Sequence, residues 1–184
     1  VGRKPNVDGL GLENTSLVWS EKGITVDDNM LTNVPGVYAI GDVNARMMLA
    51  HAATMQGLHV VNHIIGGQDD INLDVMPAAI FTNPEAACVG KTEDQLKAEG
   101  VDIEVRKKNY RTNGRALAMA EAEGMIKLVA DAGTGEILSC HAYGAHSADI
   151  VQEISALMCK HTTLKQLHDM VHIHPTLNEM LQEI

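Results

Sequence analysis

The stretch GMIKLVADAGTGEILSCHAYG, residues 124–144, decides the fold. GMIKLVAD and EILSCHAYG read as two strands, and the AGTG between them reads as a hairpin connection. Working outward, VDIEVRKK (101–108) alternates like a further strand, and AAIFT (78–82) and ACVG (87–90) read as short ones. Thr92, followed by Glu93 and Asp94, is placed to cap a helix that runs to Glu99 and stops at Gly100. A hydroxyl at the cap and carboxylates in the first turn both answer the unpaired amides there. Beyond the hairpin the period changes. Ile150, Val151, Ile154, Leu157 and Met158 fall on one stripe, which predicts a helix over 147–160. TTLKQLHDM (162–170) predicts another short helix, and Pro175 is placed to open a last one, where a missing N–H is tolerated. Helices beside an antiparallel sheet make residues 71–184 an α+β domain.

Residues 1–66 have a different grammar, loops and short strands around GVYAIGD (36–42). That unit reads as a turn, a buried β run of Val37, Tyr38, Ala39 and Ile40, and a Gly-Asp stop. Leu49 to Ile65 has helical spacing and ends at Gly66-Gly67. GGQDDIN (66–72) reads as a linker, so the expected domains are 1–70 and 71–184. VGRKPNVDGLGLE (1–13) carries no start signal, N-cap or polar tail and reads as the interior of a longer chain.

Composition narrows the function. The 184 residues carry 14 Lys+Arg against 24 Asp+Glu, a formal net charge of −10. An acidic chain with one Trp, one Phe and three Tyr is poorly suited to neutralise phosphates or stack on bases, so no nucleic-acid partner is expected. No apolar run approaches the ~18 residues of a membrane span, and no export signal is evident. Cys88, Cys140 and Cys159 are odd in number and widely spaced, which points to reduced thiols in a cytoplasmic setting; they read as small buried hydrophobes.

Two constellations could carry chemistry. Asp42 stands just past a strand end, where open α/β sheets place ligands, and the helix from Ala50 would offer free amides to an electron-rich group. The plainer reading is a loop-capping Asp and a packing helix. In HDMVHIHPTLNEM (168–180), His168, His172 and His174 lie near Asp169 and Glu179. Structural histidines, a His174–Glu179 acid/base pair and a metal site all fit that spacing, though Pro175 takes His174 out of helical geometry, so the imidazoles need not converge. No metal is expected.

The segments VGRKPNVDGLGLE, TNVPGVYAIGDV, MLAHAA, FTNPEAACVGKTEDQLK, NGRALA and HIHPTLNE come in the order and approximate spacing of the flavoprotein disulfide reductases. The chain resembles that family along its whole length, most nearly its dihydrolipoamide-oxidising branch. The resemblance implies a partial α/β FAD-binding lobe over 1–70 and a dimerisation domain over 71–184. It implies FAD and NAD as cofactors, though not held by this chain alone, a homodimer, and a lipoyl-bearing protein of a 2-oxoacid dehydrogenase or glycine cleavage complex as partner. Asp42 matches the aspartate that binds flavin-side hydroxyls. Met48, Leu49, Ala50 and His51 match the stretch facing the flavin ring, and Gly2 a glycine near the nicotinamide. His174 matches the catalytic base, which in that family serves the disulfide of the other subunit, and Glu179 its orienting partner. The family's GxGxxG fingerprint, Cys-x4-Cys pair and central NAD domain are absent. Met55 and Gln56 replace a usual acidic segment, and Asn178 replaces a usual Ser, a change expected to matter little.

Overall fold

Strands β1 (Trp19–Ser20) and β2 (Gly23–Ile24) pair antiparallel near the start of the computed structural model, which describes residues 2–184. The chain divides into two compact units, Val1–Leu73 and Asp74–Ile184. In the first, Val7, Leu12, Ile24 and Ala39 form a small core with Leu17, Val26 and Val43 against it. The run Val37–Ile40 departs from expectation. It makes a single bridge, Tyr38 to Leu31, and Val37 and Ile40 are exposed. A strand is buried only when neighbours supply both its hydrogen bonds and its cover, and here the run has one short bridge, closed by the Thr32 amide on the Val37 carbonyl and the Ala39 amide on the Met30 carbonyl.

Helix α1 (Ala50–Ile64) buries Ala52, Gln56 and Val60 on one face. It ends where the sequence indicates. Gly66 takes the left-handed conformation at φ 70°, and the Gly67 amide reaches back to the Asn62 carbonyl at 2.8 Å.

The second unit is built on one antiparallel sheet of β3 (Ala78–Ile80), β4 (Ala86–Gly90), β5 (Ile103–Asn109), β6 (Gly124–Asp131) and β7 (Ile137–Gly144). The spatial order is β3-β4-β7-β6-β5. The β6–β7 hairpin sits at its centre, with a register shift at Val129/Ala130. Asp131 holds the turn by accepting from the Gly133 and Thr134 amides and the Thr134 hydroxyl. On one face Ala87, Val89, Ile126, Leu128, Cys140 and Ala142 meet α4 (Ser147–Met158), which contributes Ile150, Val151, Ile154 and Met158. Each of those four helix side chains is worth about 1.5–3 kcal/mol in apolar burial, so α4 is a firm base for whatever its flank carries.

Short helices complete the unit. α2 (Glu93–Ala98) opens with a full Thr92–Gln95 capping box. α3 (Gly114–Ala118), not foreseen from spacing, is capped by Asn113. α5 (Leu164–His168) has a second capping box, Thr163–Gln166. The last helix, α6, covers only Glu179–Gln182. Pro175 therefore does not open it; a cis peptide joins His174 to Pro175 within a loop. The cysteines also differ from expectation. Cys140 is buried, Cys88 half-buried and Cys159 exposed, because Cys159 caps the end of α4 beyond its buried stripe. No helix among the described residues is long and apolar enough to cross a membrane.

Candidate functional site

The loop from Val171 to Asn178 is shaped by its own hydroxyl and by the residues that anchor it. Thr176 Oγ1 donates to the Ile173 carbonyl at 2.6 Å and accepts from the Glu179 amide at 3.3 Å. That closes the loop and returns Glu179 to His174. Glu179 Oε2 lies 2.8 Å from His174 Nδ1. The carboxylate can only accept, so Nδ1 is the protonated nitrogen and Nε2 is the open one. The His174 side chain is 82% exposed and that of Glu179 only 14%. An outward imidazole backed by an inward carboxylate is suited to take up and return a proton.

The other histidines of the motif go elsewhere. His168 Nδ1 meets the Gln182 carbonyl at 2.8 Å, and His172 Nε2 meets Glu153 Oε1 at 2.9 Å. Among the described residues, no group of three or more His, Cys, Asp or Glu stands where it could hold a metal ion.

Two supporting residues escape sequence reasoning. Asn113 Nδ2 donates to the Thr176 carbonyl at 3.0 Å and to Glu179 Oε1 at 3.3 Å, while its Oδ1 caps α3 through the Ala116 amide. Glu153 binds His172 with one oxygen and accepts from Asn178 Nδ2 with the other, at 2.6 Å. Asn178 therefore matters more than expected of a simple Ser replacement. The only sequence signal for Glu153 is a carboxylate placed directly before the buried Ile154. For Asn113 it is a cap-forming residue ahead of Gly114.

In the first unit, Asp42 is exposed on a short 3-10 turn, Gly41–Asn44. Met48 and Leu49 are half-buried, and Ala50 and His51 are exposed at the start of α1. Leu49 stands at the N-cap and its side chain makes no bond to the first turn, so the positive end of α1 is not capped by its own sequence. Gln56 fixes this arrangement, its Oε1 accepting from the Gly41 amide at 2.8 Å and from Asn44 Nδ2 at 3.0 Å. An exposed carboxylate and an uncapped helix start thus share one braced region. Gly2 is exposed, and nothing lies within 4 Å of where a Cβ would stand.

Comparison with known proteins agrees with this architecture. Residues 76–184 match the model of the pyridine nucleotide-disulphide oxidoreductase dimerisation domain, and residues 1–57 match that of the pyridine nucleotide-disulphide oxidoreductases. The chain is 41% identical to a dihydrolipoyl dehydrogenase of Corynebacterium glutamicum, covering 100% of this chain and 40% of that protein. It is 42% identical to one of Cupriavidus necator, covering 100% of this chain and 39% of that protein. The crystal structure of LpdA from Mycobacterium tuberculosis superposes with a TM-score of 0.89 at 28% identity, over 100% of this chain and 40% of that one. The chain thus spans about two-fifths of the length of the curated relatives it matches. By the match over most of its length, this chain belongs to the pyridine nucleotide-disulphide oxidoreductase family.

Proposed function

We propose that this chain is the carboxy-terminal part of a cytoplasmic dihydrolipoamide dehydrogenase, supplying the dimer-forming domain and the acid/base pair His174–Glu179. The single observation that carries the reading is the pair itself, an exposed imidazole held at 2.8 Å by a largely buried carboxylate. Relatives that bear the name dihydrolipoyl dehydrogenase, of whose length this chain spans about two-fifths, favour that substrate within the family.

A dithiol is a weak nucleophile at neutral pH because only its thiolate attacks a disulfide. His174 Nε2 takes the thiol proton, and Glu179 steadies the imidazolium through Nδ1, as a third member does in a triad. The thiolate then attacks a redox disulfide outside this chain, and His174 returns its proton as the exchange completes. Cys88, Cys140 and Cys159 take no part; burial pushes the Cys140 thiol up to about 12.

The residues at the start of α1 suit FAD. Asp42 would accept from its hydroxyls, and the start of α1, Leu49, Ala50 and His51 beside Met48, would face its electron-rich edge with the positive end of the helix. Bound flavin supplies the two-electron step between the disulfide and NAD. Gly2 would lie toward the nicotinamide. The complete site is expected to need a second copy, since the exposed ring faces outward, and the lipoyl-bearing partner would present its dithiol there.

The test is His174→Gln in the longer polypeptide that carries this chain, assayed by lipoamide-dependent reduction of NAD⁺. Loss of a general base is expected to cost about 10²–10⁴ in rate, with flavin content unchanged. Wild-type turnover in that variant, or a preference for glutathione disulfide over lipoamide in the parent, overturns the reading. The 184-residue chain alone is expected to sediment as a dimer without turnover.

A further inference from the structure

We propose that Glu153 is a positioning residue for His174, gripping both flanks of the loop that carries it. From Val171 to Pro175 every side chain is exposed except that of His172, which is 7% exposed. His172 is therefore the one inward anchor ahead of His174, and it ends on Glu153 Oε1 at 2.9 Å. Behind His174 the chain passes Pro175, Thr176 and Leu177 to Asn178, whose Nδ2 ends on Glu153 Oε2 at 2.6 Å. One carboxylate thus holds the loop at both ends, and each of its oxygens has a separate task. Its own support is rigid, because the neighbouring Ile150, Val151 and Ile154 of α4 are fully buried.

The consequence lies at Glu179, the residue after Asn178. Fixing Asn178 fixes where Glu179 starts, and fixing His172 fixes how the backbone delivers His174. The 2.8 Å contact between the two is the shared product of both ties. An imidazole on a loop released at either end samples other rotamers, and a misplacement of about 1 Å at a catalytic group costs up to about 10²-fold in rate.

A conservative variant separates positioning from charge. In Glu153→Gln the amide oxygen still accepts from Asn178. The amide nitrogen donates to His172 Nε2, while His172 Nδ1–H keeps its bond to the Met170 carbonyl, 3.2 Å away. Both ties survive without the charge. Glu153→Ala keeps neither, and Asn178→Ala removes only the second.

The role of His174 in catalysis rests on the function proposed above, but the clamp can be read without it. Ring nitrogen shifts of His174 in the 184-residue chain, measured by nuclear magnetic resonance, report which nitrogen carries the proton. Held by Glu179, the neutral ring is the Nδ1–H tautomer. Released, it reverts to the Nε2–H form that an unpaired imidazole prefers. The expected result is loss of most of the Nδ1–H population in Glu153→Ala, a smaller loss in Asn178→Ala, and the wild-type pattern in Glu153→Gln. Should Glu153→Ala fail to fold, Asn178→Ala decides. An unchanged His174 tautomer in the folded variants, or Glu153→Gln failing as Glu153→Ala does, overturns the proposal. In the longer polypeptide, Glu153→Ala is expected to lower kcat at near-constant KM. A parent without lipoamide activity would sink the substrate assignment and leave the tautomer result standing.

Discussion

Asn113 performs two tasks that substitution can separate. Its Oδ1 caps α3 at 2.9 Å, and its Nδ2 serves the Thr176 carbonyl and Glu179 Oε1 at 3.0 and 3.3 Å. Asn113→Ala removes all three bonds. Loss of the cap costs about 1 kcal/mol. Leaving a carbonyl and a largely buried carboxylate oxygen without that donor adds about 1–3 kcal/mol. The total is about 2–4 kcal/mol. Asn113→Asp keeps the cap and replaces the donor with a second carboxylate facing Glu179. At that separation and an effective dielectric of about 20, the repulsion is about 4–5 kcal/mol unless one of the pair keeps a proton. The folded variant then holds a proton that the unfolded chain has released, so its stability falls as pH rises above the ordinary carboxylate range. Asn113→Ala has no such slope. Urea unfolding of both variants at mildly acidic and at neutral pH reads the difference. If Asn113→Asp is as stable at neutral pH as in mild acid, donation to Glu179 is not what Asn113 supplies, and the reasoning fails.

Three further outcomes are expected. Gly144 adopts φ 137°, and a Cβ there would stand 2.7 Å from Cζ of the fully buried Tyr110, so Gly144→Ala combines strain with overpacking and should cost at least about 2 kcal/mol in denaturant melts; an unchanged midpoint would contradict this. Burial, with Lys127 adding, holds His141 below the ordinary histidine value of 6.5. The unfolded chain therefore binds more protons just below that value, so stability declines as pH falls from about 6.5. Asp69, Glu93 and Asp131, also depressed, add their loss only from about pH 5 downward. His141→Gln should remove part of the loss above that range, and an identical profile would refute the assignment. Among the thiols, exposed Cys159 should be alkylated first, half-buried Cys88 later, and Cys140 only on unfolding, as read by peptide mass spectrometry; early labelling of Cys140 would contradict its burial.

The parts of the fold legible in the sequence are those whose cause is local. The Asp131 turn of the hairpin, the Thr92 cap and the Gly66-Gly67 stop each draw on partners within a few residues, and the α4 stripe is a local periodicity. The run at 37–40 has the composition of a buried strand, yet burial depends on neighbours that composition does not encode. Pro175 fits both a helix start and a loop, and the Thr176 turn decided for the loop. At the candidate site, His174 and Glu179 are five residues apart and readable together. Asn113 reaches Glu179 across 66 positions and Glu153 reaches Asn178 across 25, so no spacing rule could pair them. Gln56 and Asn178 stand out in the sequence only as departures from family habit, and in the structure each fastens a loop.

The borders of the five-stranded sheet restrict how two copies can meet. β3, on one side, offers only three residues of unpaired backbone, and β5, on the other, carries Arg106, Lys107 and Lys108 in succession. Truncation and like-charge repulsion are the two usual defences against an intruding strand. Self-association by continuing the sheet from molecule to molecule is thus discouraged at both margins, which also guards the chain against fibrillar stacking.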